Sequence, residues 1–293
     1  MQTKIGFIGF GEAAFYIAKG LSGQGMAVGA YDRYSMVAQQ SELIQKRARE
    51  ARVNIYPGMK ELIEASDIII SAVSASLVVC LAQASASYLK AGQFYVDINA
   101  AGTDTKVIAD KIISPHALFV DAAVMGPVPT SGHKVPILVS GGGAAGFIEK
   151  MRPYGMNIAM LDGPAGKASA SKMFRSIFMK GFVTLLIETV VAGRAYNIED
   201  DILASINTTL TESPLPNVIN SLLARGVIHS ERREHEMDEV IAALRNLNLD
   251  STMSEATKTK LRWCTNLRFK EYFQGVPPKD FHEIFKVTDK LLK

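Results

Sequence analysis

Cysteine is nearly missing from this chain: its 293 residues hold two, Cys80 and Cys264, far apart in different halves. They support neither a disulfide framework nor the ligand spacing of a zinc site, so reduced thiols in a cytoplasmic protein and no bound metal are expected. An excess of one charge is missing too. The formal net charge is +3 and the basic residues are dispersed, which leaves no stripe to neutralise a nucleic-acid backbone. Small anionic ligands remain compatible with that balance. No apolar run approaches the ~18 residues of a membrane helix, and because the first strand pattern begins by Lys4 no signal peptide is expected. No internal repeat or low-complexity tract is present either.

What the chain does contain is a change of pattern partway along. Short apolar runs first alternate with helical stretches: KIGFIG, helix Glu12–Gly23, AVGAYD, helix Ser35–Arg52, DIIISAV, helix Ser76–Leu89, QFYVDIN, helix Thr103–Ile113 and ALFVDAAV. Such alternation builds a parallel sheet with crossover helices. VPILVSG and NIAML continue it around a short helix, and the sheet is expected to end near Leu161. After Gly163-Pro164-Ala165-Gly166 the strand signals stop. The rest reads as helix, broken at Ser213-Pro214, Arg225-Gly226 and Val276-Pro277-Pro278. Length fits two domains, with expected bounds 1–162 and 163–293. The first helix of the second, near Lys167–Tyr196, would span about 45 Å.

The first turn of the sheet carries a ligand signal. Gly9-Phe10-Gly11-Glu12-Ala13-Ala14 follows a strand and opens a helix, matching G-x-G-x-x-A in the context that gives this motif its meaning. Gly9 makes the tight turn, Gly11 lets a pyrophosphate approach the backbone, and Ala14 is small enough for helix and strand to pack closely. Glu12 is expected to point outward, since an inward acid would repel the anion. Asp32 lies 21 residues beyond Gly11 at a strand end, where a carboxylate bonds adenosine ribose hydroxyls and repels a 2′-phosphate. NAD is therefore the expected cofactor, with NADP open because Arg33 follows and can pair with that phosphate. The predicted architecture is α/β: an N-terminal Rossmann doubly wound parallel sheet, then an all-helical C-terminal domain entered through a long linking helix.

That linking helix holds Lys172 within the nearly all-apolar run Ala168–Leu186. A helix apolar around most of its circumference is expected inside the protein, and an ammonium there must be paired or shifted in pKa. The alternatives are a side chain that snorkels to the surface or pairs with Glu188.

With the loop, Asp32, Gly163–Gly166 and Lys172 together, the chain resembles the β-hydroxyacid dehydrogenase superfamily, which includes 3-hydroxyisobutyrate and 6-phosphogluconate dehydrogenases. The resemblance covers both domains and implies a catalytic lysine at Lys172, with a helical domain that forms a homodimer. It also implies that the loops after DIIISAV and QFYVDIN line the dinucleotide through Val73, Ser74, Asn99 and Ala100, at the carboxyl strand ends where such sheets bind ligands. Ser74 as a helix cap and Asn99 as a turn residue are the structural alternatives.

Several positions depart from that family's pattern. Its substrate segment D-A-P-V-S-G-G is replaced by Asp121-Ala122-Ala123-Val124-Met125-Gly126-Pro127, so Met125 stands where a serine would hold a carboxylate. Backbone N–H groups around Gly126 are still expected to offer an anion site, although Pro127 removes one donor. The asparagines that follow the lysine are replaced by Arg175 and Ser176, beside Lys172 on one helix face. Arg175 is either a bidentate clamp for a substrate anion or a solvated charge, and Lys180, two turns from Lys172, is expected as a solvated charge. Met179 occupies the place of the phosphogluconate enzymes' proton-donating glutamate, which favours the plain hydroxyacid branch. Glu188 matches a glutamate of the same helix with a structural role. His235-Glu236-Met237 replaces a Lys-Asp-Leu, and the charged run Arg232–Glu239 resembles a poorly characterised phosphogluconate-dehydrogenase-like subgroup. That run is a solvated face, or else His235 tunes proton transfer.

The implied reaction is hydride exchange between the nicotinamide and a small anionic hydroxy acid, with Lys172 as general base or acid. Burial by Met173, Phe174, Ile177 and Phe178, with positive charge from Arg175, is expected to lower its pKa. An imine reductase of the same architecture and a non-catalytic NAD-binding regulator are the competing readings.

Overall fold

Short apolar strands buried on both faces build the first unit. The structure, a computed structural model, describes residues 3–289. Its strands are β1 (Lys4–Ile8), β2 (Ala27–Tyr31), β3 (Asn54–Ile55), β4 (Ile68–Ser71), β5 (Phe94–Asp97), β6 (Leu118–Val124), β7 (Ile137–Ser140) and β8 (Ile158–Met160). Between them run α1 (Glu12–Gly23), α2 (Ala38–Ala51), α3 (Met59–Glu64), α4 (Val78–Ala86), α5 (Thr103–Ile113), α6 (Val128–Ser131) and α7 (Ala144–Met151). One sheet has the order β3-β2-β1-β4-β5-β6-β7-β8. Side chains of successive strand residues face opposite sides. Accordingly Phe7, Ile70, Val96 and Val120 pack with α1 and α7 on one face, while Ile8, Ile69, Tyr95 and Phe119 pack with α4 and α5 on the other.

The sheet is not wholly parallel, which corrects the expectation. β7 runs antiparallel to β6, pairing Asp121 with Ser140 and Val124 with Ile137. The connection holds only the four-residue α6 and a short turn, too little for the crossover that a parallel neighbour needs. The two-residue β3 and the helix α3 after it were too brief to show in the periodicity.

The long helix α8 spans Lys167–Arg194, and the chain divides into two compact units after Ile177, within it. The second unit continues through α9 (Glu199–Thr211), α10 (Leu215–Ile228), α11 (Ser230–Asn246), α12 (Thr252–Asn266), α13 (Phe269–Tyr272) and α14 (Phe285–Thr288). Arg225-Gly226, expected as a break, lies inside α10; the chain turns at His229 instead. Glu188 binds the start of α12, accepting from Met253 N at 2.8 Å, Ser254 N at 2.9 Å and Ser254 Oγ at 2.6 Å. It is a helix cap and not a partner of Lys172.

Two expectations about α8 are overturned. Its apolar side chains are largely exposed in the single chain, Phe174 at 61% and Ile177 at 73%. With 28 residues and a window of mean hydropathy 1.6, it is long and apolar enough to cross a membrane by length and composition. Lys172, Arg175, Lys180 and Glu188 interrupt its apolar runs, so counting uninterrupted residues missed it.

Candidate active site

The order β3-β2-β1-β4 places the reversal of strand order between β1 and β4, and a crevice opens beyond the carboxyl ends of such strands. Gly9 sits there with φ +87°, its N–H donating to Tyr31 O at 2.8 Å. A Cβ at Gly9 would collide with the carbonyl oxygen of Ala72. Gly11 caps α1 in extended conformation, and no atom lies within 4 Å of where its Cβ would stand. Gly9, Phe10, Gly11, Asp32, Arg33, Val73 and Ser74 all line one cavity of about 690 Å³. Ala14 is fully buried under the turn, whereas Glu12 is exposed; neither these two nor Ala13 lines the cavity.

Asp32 is more constrained than its sequence position suggested. Its Oδ2 accepts from Phe10 N at 2.8 Å and its Oδ1 from Tyr34 N at 2.9 Å. The carboxylate thus ties the phosphate loop to the end of β2 and caps the turn that follows. Two arginines share the cavity. Arg33 lies over the Tyr34 ring, 4.5 Å from its centroid, and donates to the Tyr34 hydroxyl; Arg47, from α2, was not anticipated.

Asn99 acts by holding a neighbour. It is buried, its Oδ1 accepts from Val73 N at 2.6 Å, and its Nδ2 donates to Asp97 Oδ1 at 2.7 Å and Ser71 Oγ at 2.9 Å. Both amide protons are spent, so it shapes the Val73 loop and presents no donor to the cavity. Ser74 lies at the start of a short helical turn, where its hydroxyl faces that of Ser76 at 3.3 Å and caps nothing. Ala100 is exposed beside this brace.

Lys172 is half-buried, and its ammonium is held below the usual lysine range, first by burial and then by the charge of Lys106. This corrects the expected source of the effect. Met173, Phe174 and Ile177 are exposed, and Arg175 is not the charge responsible. Lys106 escaped notice although it stands in register with Ala109 and Ile113 on the buried stripe of α5. Its ammonium is fully buried, 2.8 Å from Asp97 O, 3.0 Å from Asp97 Oδ1 and 3.5 Å from Asp121 Oδ1. Arg175 is exposed with no protein partner among the described residues, and Ser176 Oγ donates back to Lys172 O at 3.1 Å.

The altered substrate segment follows β6. Met125 N donates to Pro136 O at 2.8 Å, so this amide is not available to an anion. Gly126 is half-buried and Pro127 precedes α6 at its N-cap. His235 is exposed on α11 in the second unit. Around it the charged run is paired: Arg232 with Glu236, Glu234 with Arg262 at 2.8 Å, and Asp238 with Lys258. The last two pairs brace α11 against α12, and the first lies along α11 itself.

A tight turn that bars a Cβ at Gly9, open space over Gly11, the helix N-terminus behind them and the cavity of about 690 Å³ beside them fit a nicotinamide dinucleotide. The first unit is a Rossmann-type oxidoreductase domain. Residues 4–101 match the family described as NADP oxidoreductase, coenzyme F420-dependent, and residues 194–264 match a domain of unknown function, DUF1932. A conserved hypothetical protein from Sinorhizobium meliloti 1021 is 33% identical over 89% of this chain and 88% of its own, with a TM-score of 0.64. A conserved protein of unknown function, described as structurally similar to 3-hydroxyacid dehydrogenases, is 30% identical over 91% of this chain and 98% of its own, with a TM-score of 0.63. The chain belongs to the β-hydroxyacid dehydrogenase and 6-phosphogluconate dehydrogenase-like superfamily, in the poorly characterised subgroup that holds these proteins. An imine reductase from Aspergillus terreus in complex with NADPH4 and dibenz[c,e]azepine shares the fold at 17% identity, over 91% of this chain and 94% of its own, with a TM-score of 0.73.

Proposed function

We propose that this protein is a dehydrogenase interconverting a small anionic hydroxy acid, of the 3-hydroxy-acid or sugar-acid type, and its keto or semialdehyde form. The observation that carries the reading is Lys172, half-buried and shifted toward the neutral amine, first by burial and then by the charge of Lys106. The bound nicotinamide supplies hydride exchange. In the oxidative direction the Lys172 amine takes the substrate hydroxyl proton; in the reductive direction its ammonium returns a proton to the carbonyl oxygen. Arg175, exposed and unpartnered among the described residues, supplies the anchor for the substrate anion that Met125 no longer provides.

For the cofactor, the geometry supports NADP(H) over NAD(H). Both Asp32 oxygens are already engaged by backbone N–H groups, and Arg33 and Arg47 put two positive charges into the same cavity. A 2′-phosphate is matched by such guanidinium groups. A second reading is an imine reductase. The Met125 amide is tied to Pro136 O, which weakens the anion grip and favours an uncharged substrate. The exposed apolar face of α8 supports assembly of two copies, since a patch of this kind needs cover.

The deciding experiment offers the protein a panel of 3-hydroxy acids and sugar acids with NAD and NADP, and in parallel ketones with amines and NADPH. Alcohol-dependent reduction of the nicotinamide supports the dehydrogenase. Turnover only with ketone plus amine replaces it with the imine reductase, and tight cofactor binding without turnover replaces both with a regulator.

A further inference from the structure

Two carboxylates, Asp97 and Asp121, and the Lys106 ammonium lie buried together, and none of the three touches the reacting groups of the proposed reaction. Asp97, Lys106 and Asp121 are each 1% exposed or less, and Asp97 keeps Oδ2 buried with no hydrogen-bond partner among the described residues. Such clusters are poor devices for stability. Removing ions from water costs several kcal/mol each, and apolar replacements of similar volume often do as well or better. The arrangement therefore calls for another use.

Asp121 shows what that use is. Its Oδ2 accepts from Gly166 N at 2.9 Å, Ser169 N at 3.0 Å and Ser140 Oγ at 3.2 Å, and its Oδ1 accepts from Ser169 Oγ at 2.5 Å. Ser140 Oγ takes one further donor of the same turn, Ala168 N, at 3.0 Å. The first turn of a helix leaves N–H groups without partners inside the helix. Here a strand carboxylate and a strand hydroxyl satisfy them from outside, fixing α8 to β6 and β7. Ser169 precedes Lys172 by three positions, so both lie on one face of α8.

We propose that Lys106 is a positioning residue for Lys172, acting through Asp121 and Ser169, which clamp the first turn of α8. Lys106 balances Asp121, the carboxylate that holds the helix, together with Asp97, and places a fixed positive charge that acts on the Lys172 amine. The clamp sets where that amine stands, and the charge disfavours its protonation. The inference rests on the proton-transfer reading of Lys172 for its meaning, but its test needs no substrate.

The test is trace acetylation of the full-length protein with acetic anhydride across a pH series, with Lys172 modification read by peptide mass spectrometry. In Lys106→Met the Lys172 titration should move to higher pH, and its reactivity near neutrality should fall severalfold. Lys106→Arg keeps the charge and should retain the wild-type curve. An unmoved curve in folded Lys106→Met would overturn the proposal. Should that variant fail to fold, Ser169→Ala carries the test, because it loosens the clamp without unpairing a buried charge. A rise in its Lys172 titration supports the proposal, and a wild-type curve overturns it. Full turnover in Lys172→Met would instead sink the proton-transfer reading while leaving the labelling result intact.

Discussion

The Asp121 carboxylate receives Ser169 through both its hydroxyl, at 2.5 Å, and its backbone N–H, at 3.0 Å, although the two residues are 48 positions apart. This pair, inside the first unit, joins the sheet to the helix that carries Lys172. Because Asp121 also faces Lys106, Asp121→Ala leaves a buried ammonium short of one partner. Loss of one member of a buried pair costs about 3–5 kcal/mol. Urea unfolding of the first unit should show that loss, whereas a change under about 1 kcal/mol would mean that water replaces the carboxylate.

Lys172→Met keeps the length and apolar body of the side chain while deleting its proton-transfer group. General acid–base catalysis contributes about 10²–10⁴-fold, so kcat should fall by that factor with cofactor affinity unchanged. The pH profile adds a signed check. Burial and Lys106 lower the Lys172 pKa, so oxidation should rise through a limb that lies below the range of an ordinary lysine. Reduction, which needs the ammonium, should fall through the same limb. A limb at the ordinary lysine position would remove Lys172 from the proton path.

Arg33 and Arg47 should decide the cofactor. Replacing both with alanine removes two charge-assisted partners of a 2′-phosphate and should weaken NADP by about tenfold or more while sparing NAD. Isothermal titration of both nucleotides against both proteins measures this. Equal weakening of the two would place the arginines on the shared part of the cofactor.

Glu188 offers a prediction confined to the second unit. It bonds two N–H groups and a hydroxyl at the start of α12, and removing a helix cap costs about 0.5–2 kcal/mol. Glu188→Ala should therefore lower the thermal midpoint of the helical unit without moving the Lys172 titration.

The sequence by itself determined whatever depends on local spacing. The helices Glu12–Gly23 and Thr103–Ile113 follow from apolar residues at helical intervals, and the glycine loop follows from residues that only a tight turn beside a phosphate needs. Most strands were legible because each is a short apolar run bounded by turn residues. Tertiary structure alone decided the antiparallel β7, since strand direction depends on what a connection can span. It also exposed the α8 side chains expected to be buried and gave Lys172 a different neighbour. Composition shows that a helix is apolar but not what covers it. Lys106, Asp121 and Ser169 are scattered along the sequence and carry no mutual spacing signal, because their relation is made by the strand order β5-β6-β7 and the return of α8 to the sheet. A buried charge acts through distance in space, and that distance exists only after the chain has folded.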